Sequence, residues 1–246
     1  MAISLRFEQG VRSDVGCVRQ VNEDSFAARP RDGLWLVADG MGGHAHGQWA
    51  SSTIAATLEA VPLPEDFDAA AGVVRSALRA ANAELYAATE ARGATIGSTV
   101  ALLLARDARA AVMWVGDSRV YRLRGGALAR RTADHSQVEQ LVSRGLLTRE
   151  EAEHHPMAHV LSRAVGVQPR LVIDVRGETI LPGDVFLLCS DGLTRMASEE
   201  EIGRVLATEP PRRAADALIA LALARGAPDN VTAVVVGCDS TTLVNC

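Results

Sequence analysis

No two cysteines in this chain stand in a C-x-x-C pair. Cys17, Cys189, Cys238 and Cys246 are scattered, which argues against a zinc knuckle and against a disulfide framework. Cys189 and Cys238 sit in apolar runs and are expected to pack as small hydrophobes. No apolar stretch reaches the roughly 18 residues of a membrane span, and the first residues lack the apolar core of a signal peptide. There is no basic stripe: 30 acidic and 25 basic residues are interspersed, with a net charge of −5. That balance disfavours a nucleic-acid partner. No internal repeat or low-complexity linker breaks the chain. A soluble, cytoplasmic protein without a membrane partner is expected.

What is present is core-forming material. The 246 residues are 48% hydrophobic and 22% charged, enough for one large domain or two small ones. Residues 34–38 read as a buried strand, and 48–60 and 68–91 as helices, the second with apolar residues at helical spacing. A dense β region follows. "STVALLLAR" and "AAVMWVGD" flank a short loop around Asp107, and Gly125-Gly126 separates "RVYRLR" from "ALARR" as a two-residue hairpin turn. Consecutive hairpins predict antiparallel sheet.

Residues 135–165 turn polar and helical, with a capped helix start around Leu147-Thr148, Glu150 and Glu151. Strand patterns return at 171–176 and 184–190, helices at 198–207 and 211–225, and "NVTAVVVGC" closes as a strand. Helices come in pairs between groups of strands, which predicts sheets covered by helices. Residues 135–165 read as a surface excursion, either a functional flap or a plain solvated insertion.

One grammar recurs. "LWLVADG", "VMWVGDS" and "VFLLCSDG" are apolar runs ending on Asp39, Asp117 and Asp191, each followed by a small residue. In "GAPDNVTAVVV" Asp229 precedes a strand, and in "RQVNEDSF" Asp24 does the same. Any one of these reads as a turn, since Asp-Gly is a common turn dipeptide. Five together are different, because strand ends on one edge of a sandwich lie close in space. Carboxylates gathered there repel one another unless a cation sits among them.

Donors that are all oxygen suit Mg²⁺ or Mn²⁺ better than zinc. A histidine site, from "HAH" (His44, His46) or "HHPMAH" (His154, His155, His159), is disfavoured by spacing and by the lack of nearby cysteine. Glycines at 40, 42 and 43 would let backbone approach an ion, and a glycine carbonyl can itself be a ligand. Two ions in such a site would favour in-line displacement at phosphorus. Arg19, five residues before Asp24, is placed to clamp phosphate oxygens.

Taken in order, "SDVGCVRQVNEDSF", "LVADGMGGHAHG", "GSTV", "VGDSRVYRL", "TADHSQVEQLVSRGLLTREEAEHHP", "LPGDVFLLCSDGLT" and "GAPDNVTAVVV" resemble the metal-dependent protein phosphatases of the 2C class, the PPM family. The likeness is to the bacterial branch that opposes Hanks-type serine/threonine kinases, and it covers residues 10–237. The resemblance implies an α+β fold, a four-layer α-β-β-α sandwich of two antiparallel sheets flanked by helix pairs. It implies a single catalytic domain over 1–246 with a flap at 135–165.

For the site, the resemblance implies two Mn²⁺ or Mg²⁺ ions bridged by Asp39, with the Gly40 carbonyl on one and Asp191 and Asp229 on the other. Asp117 would hold a possible third ion, and Asp24, with Glu23 beside it, would act through metal-bound water. Arg19 would bind phosphate and His44 would be the general acid, with direct attack by a metal-bridging hydroxide. The implied activity is a protein serine/threonine phosphatase, a phosphoric monoester hydrolase acting as a monomer on phosphorylated proteins, a Hanks-type kinase and its targets among them.

Gln48 departs from the family's usual Glu, and "GST" from its "GTT". Two alternatives stand beside this activity: a catalytically inactive phosphoprotein-binding module of the same fold, and an enzyme acting on a small phosphate ester. General signalling and control of type VI secretion are both open as settings.

Overall fold

A computed structural model describes residues 5–43, 45–153, 155–157 and 160–240. The strands are β1 (Leu5–Asp14), β2 (Asp24–Arg29), β3 (Leu34–Met41), β4 (Gly97–Ser98), β5 (Val100–Arg106), β6 (Arg109–Val115), β7 (Arg119–Arg124), β8 (Ala127–Arg130), β9 (Asp174–Thr179), β10 (Val185–Cys189) and β11 (Val231–Ser240). The helices are α1 (Ala45–Ala60), α2 (Phe67–Arg92), α3 (Gln137–Ser143), α4 (Arg149–Glu153), α5 (Asp191–Thr194), α6 (Glu199–Thr208) and α7 (Pro211–Ala224). One sheet runs β1-β11-β10-β7-β8 and the other β2-β3-β5-β6-β9, with β4 paired to β3. Every strand pair is antiparallel. Among the described residues no helix is long and apolar enough to cross a membrane.

Strand periodicity explains the layering. In β3, Leu34, Leu36 and Ala38 join a core with α1 and α2, whereas Trp35 and Val37 turn to the other sheet. In β11, Val231, Ala233 and Val235 pack with α6 and α7, whereas Val234 and Val236 meet the first sheet. Both strands are buried on both faces, so they read as continuous apolar runs rather than alternating ones. Three cores between four layers result: helices, sheet, sheet, helices. The α+β sandwich of two antiparallel sheets flanked by helices is the one that the family resemblance implied.

Local chemistry fixes the ends of the elements. Asp66 caps α2 through the Ala69 amide at 2.8 Å, and Gly93 ends it in the left-handed region at φ 61°. Ser198 and Glu201 form a capping box on α6. Gly125 and Gly126 both have positive φ, 56° and 81°, as a tight β7–β8 hairpin requires.

Three elements differ from the sequence reading. β1 went unread, although its alternate residues Leu5, Phe7 and Val11 pack between the sheets. There Phe7 meets Trp35 edge-on at 5.4 Å, and the Trp35 indole N–H donates to Gln9 at 2.6 Å. β9 lies at Asp174–Thr179 rather than 171–176, because Leu171 and Ile173 are drawn into the core beneath α1 and α2. Residues 135–165 are only partly helical. Short α3 and α4 are tied back by bridges from Ser98 to Val165 and from Ser136 to Leu161. The predicted cap on α4 forms: Thr148 donates its amide to Glu151 at 2.8 Å and receives the Glu151 amide at 3.2 Å.

Candidate metal and phosphate site

Strand parity builds the site. Asp39 has the parity of Trp35 and Val37, so it points between the sheets at the end of β3. Asp24 opens β2 directly opposite, as the Cα partner of Asp39. From the other sheet come Ser190, just beyond β10, and Thr232 in β11, on the same faces as Leu188 and Val234. Both hydroxyls donate to one oxygen of buried Asp24, each at 2.7 Å. The other oxygen, Asp24 Oδ1, is buried without a hydrogen-bond partner.

A pair of hydroxyls connects the Asp39 backbone to Ser118, the residue after Asp117. The Asp39 amide donates to Thr99 Oγ1 at 3.0 Å, the Thr99 amide donates to the Asp39 carbonyl at 2.8 Å, and Thr99 and Ser118 share a hydrogen bond of 2.6 Å. Buried His135 holds the preceding turn. Its Nδ1 accepts the Gly116 amide at 3.1 Å and its own amide donates to the Gly116 carbonyl at 2.8 Å. That bond leaves the ring proton on Nε2, facing Asp174 at 3.2 Å. Burial, then the Arg163 charge, holds the His135 pKa below its ordinary value, so the neutral ring is favoured.

Asn230 locks the neighbouring loop. Its side-chain amide donates to the Val15 and Val21 carbonyls at 2.9 and 3.0 Å, and its oxygen receives the Glu23 amide at 2.8 Å. This fixes the segment carrying Arg19. The Arg19 guanidinium is exposed and forks onto Asp229, at 2.9 and 3.0 Å. Arg195, at the end of α5, pairs with Asp191 and lies 3.7 Å from Asp229.

The glycines have a concrete role. A Cβ on Gly40 would lie 2.0 Å from the Gly47 carbonyl oxygen, so Gly40 lets the start of α1 press against the end of β3. Gly42 takes φ 123° with the Thr95 carbonyl 2.3 Å from where a Cβ would be. Glu23 stands beside this contact, its Oε2 2.9 Å from a Cβ built on Gly47. Gln48 is exposed on the outer side of α1.

Excess negative charge dominates the electrostatics. Burial and the charges of Asp24, Asp191, Asp117 and Asp229, in that order, push the Asp39 carboxyl well above the ordinary range. Asp24 is pushed up to about 7, chiefly by burial and then by Asp191 and Asp229, against its two hydroxyl donors. Asp117 is likewise pushed up to about 7 by burial, Asp191 and Asp134, with Arg195 opposing. Four aspartates whose charges act on a fifth, Asp39, and the unpartnered buried Oδ1 of Asp24 form an oxygen-only donor set that suits Mg²⁺ or Mn²⁺. Among the described residues no three carboxylate, histidine or cysteine side chains close around one point; Asp191 and Asp229 are turned to arginines instead.

The structure thus brings together Arg19, Asp24, Asp39, Gly40, Asp117, Asp191 and Asp229. His44, His154 and His159 lie outside the described residues. Thr99, Ser118, His135, Ser190, Asn230 and Thr232 are the residues that sequence reading missed. The only signal for them was position, one or two residues from a strand-end aspartate or inside a quoted motif.

The sequence pattern of the protein phosphatase 2C family matches residues 18–224. "Serine/threonine protein phosphatase PstP" of Mycobacterium tuberculosis is 38% identical over 95% of this chain, which spans 45% of that protein's length. PppA, "a key regulatory component of T6SS in Pseudomonas aeruginosa", superposes with a TM-score of 0.90 at 43% identity, covering 97% of this chain and 99% of that one. The PstP catalytic domain "in complex with 2 Manganese ions" superposes with a TM-score of 0.84 at 36% identity, covering 96% and 100%.

Proposed function

Because this chain belongs to the protein phosphatase 2C family, we propose that it is a metal-dependent phosphatase acting on phosphoserine and phosphothreonine in proteins. The observation that carries this reading is the gathering of Asp24, Asp39, Asp117, Asp191 and Asp229 at one sandwich edge, with Arg19 beside them. The two manganese ions of the similar PstP domain support it.

Each residue then has a task. Asp39, the Gly40 carbonyl, Asp191 and Asp229 would together hold two divalent ions. Asp117 offers a further position. Divalent cations held there would supply Lewis acidity and would make a water nucleophilic at neutral pH. Asp24, held by Ser190 and Thr232, orients water at the cluster through its second oxygen. Arg19 leaves Asp229 and binds two phosphate oxygens with its planar fork. His44 gives the departing serine or threonine oxygen its proton. We take the chain as one catalytic domain with residues 135–165 as its flap, and as a cytoplasmic monomer.

The presence of all five aspartates and of Arg19 weighs against an inactive binding module. The flap weighs mildly against small-ester substrates. Likeness to PppA favours control of type VI secretion over general signalling as the setting, with a Hanks-type kinase and its targets as the phosphorylated partners. Phosphate release from phosphoserine and phosphothreonine peptides should require Mn²⁺ or Mg²⁺, cease with EDTA and return when metal is restored. Peptide binding without phosphate release at saturating metal would establish the inactive module instead.

A further inference from the structure

All 25 basic residues of this chain are arginines, and one of them sits among the carboxylates without a task in the chemistry above. Arg195 follows α5, whose first residue is Asp191, and its amide donates to the Asp191 carbonyl at 2.9 Å. Four residues apart on one turn, the two side chains meet: Arg195 Nη2 pairs with Asp191 Oδ2. Its second terminal nitrogen, Nη1, lies 3.7 Å from Asp229 Oδ2, on the loop before β11. A single guanidinium therefore spans two carboxylates from two elements, and its charge also reaches Asp117.

We propose that Arg195 is a built-in counter-cation of the carboxylate cluster, competing with divalent metal for Asp191 and Asp229 and so weakening metal binding. The proposal rests on reading this cluster as the metal centre. Guanidinium remains charged at every pH a protein survives, so it cannot yield by losing a proton. It can yield only by moving. The space for that movement is a cavity of about 1100 Å³ that Arg195 lines with Thr194, Met196, Glu199 and Glu201. Two costs oppose an incoming ion: the Arg195 contacts must break, and a positive charge stays nearby on a short tether.

Arg19 is different. Although it also pairs with Asp229, its side chain is 53% exposed and comes from a loop, whereas Arg195 is 28% exposed and fixed to α5. The opposite role, in which Arg195 holds the two carboxylates in place for the metal, predicts the opposite sign when Arg195 is removed.

Calorimetric titration of Mn²⁺ into EDTA-stripped, dialysed protein at low ionic strength decides between them. Arg195→Gln and Arg195→Met should each bind the weakest ion about three- to fivefold more tightly than wild type, the upper end of what one partly exposed ion pair contributes. Arg195→Lys, which keeps a charge on a more flexible stem, should stay within about twofold of wild type. The gain in Arg195→Gln should shrink as salt is raised, because screening weakens the charge that was removed. Unchanged or weaker Mn²⁺ binding in both neutral variants, with native near-ultraviolet circular dichroism, would overturn the proposal. Wild type that takes up no Mn²⁺ at all would instead overturn the metal centre itself.

Discussion

Lowering the pH from 8 to 6 should weaken Mn²⁺ binding steeply, because protons and metal compete for the same oxygens. Asp24 and Asp117 are both pushed up to about 7, largely by burial and by neighbouring aspartates. A carboxyl titrating there is about one-tenth protonated at pH 8 and about nine-tenths protonated at pH 6. Each such carboxylate that binding requires in ionised form costs about tenfold in apparent affinity over that interval, and two cost about a hundredfold. Asp39, pushed well above the ordinary range by burial and then by four like charges, steepens the fall.

Proton release supplies the direct assay. Calorimetry at pH 6 in buffers of different ionisation heat should report about two protons leaving per loaded site, and only a few tenths at pH 8 from the same two carboxyls. Stability moves the other way. Between the ordinary carboxylate range and about pH 7 the folded chain holds protons that the unfolded chain releases. In EDTA its stability is therefore greatest at the acid end of that window and is lost as pH rises through about 7. Added Mn²⁺ should restore it. Buffer-independent heats at pH 6, with a Kd flat from pH 6 to 8, would show that the five aspartates do not share an uncompensated charge.

Three further substitutions follow from particular contacts. Gly40→Ala places a Cβ 2.0 Å from the Gly47 carbonyl oxygen, so chemical denaturation should show a loss of about 1–3 kcal/mol. Full stability would mean that α1 does not press on β3. Thr99→Val removes the hydroxyl between the Asp39 amide and Ser118. It should cost about 1–3 kcal/mol for the donors left unsatisfied and should also raise the Mn²⁺ Kd, whereas stability loss alone would make Thr99 a packing residue. His44→Gln should slow hydrolysis of a phosphoserine peptide by about 10²–10⁴-fold, the usual contribution of a general acid. It should barely affect p-nitrophenyl phosphate, whose leaving group needs no proton; equal losses on both substrates would return His44 to a scaffold role.

The strand-end aspartates were legible in the sequence because apolar runs such as "LWLVADG" end abruptly on them, and period-two geometry then sends Asp39 between the sheets with Trp35 and Val37. What faced them was not legible. The pairing of Asp24 with Asp39 depends on the register of β2 against β3, and the hydroxyls of Ser190 and Thr232 reach Asp24 across more than 160 residues of chain. Small hydroxyl residues in a strand carry no pattern that separates a ligand from a filler. β1 was overlooked because its alternating apolar face is interrupted by Gln9, which turns inward to serve the Trp35 indole. β9 was displaced because its most apolar stretch, around Leu171 and Ile173, packs against helices while the polar "DVRGET" forms the edge strand. Tertiary demand overrode local pattern there.

Asp39 is the residue on which the whole account turns, so Asp39→Asn provides the most direct measurement. The substitution removes one charge with almost no change in shape and retains the Thr99 contact, which uses the Asp39 backbone. Mn²⁺ stoichiometry and phosphopeptide turnover should be measured on the same preparation. Wild type should bind at least two ions and release phosphate, whereas Asp39→Asn, with an unchanged circular dichroism spectrum, should bind at most one ion tightly and lose turnover by about 10²–10³-fold, as expected when a charge-stabilising group at the reacting centre is lost. Two tightly bound ions and near-normal phosphate release in Asp39→Asn would contradict the placement of the metal centre at this edge of the sandwich.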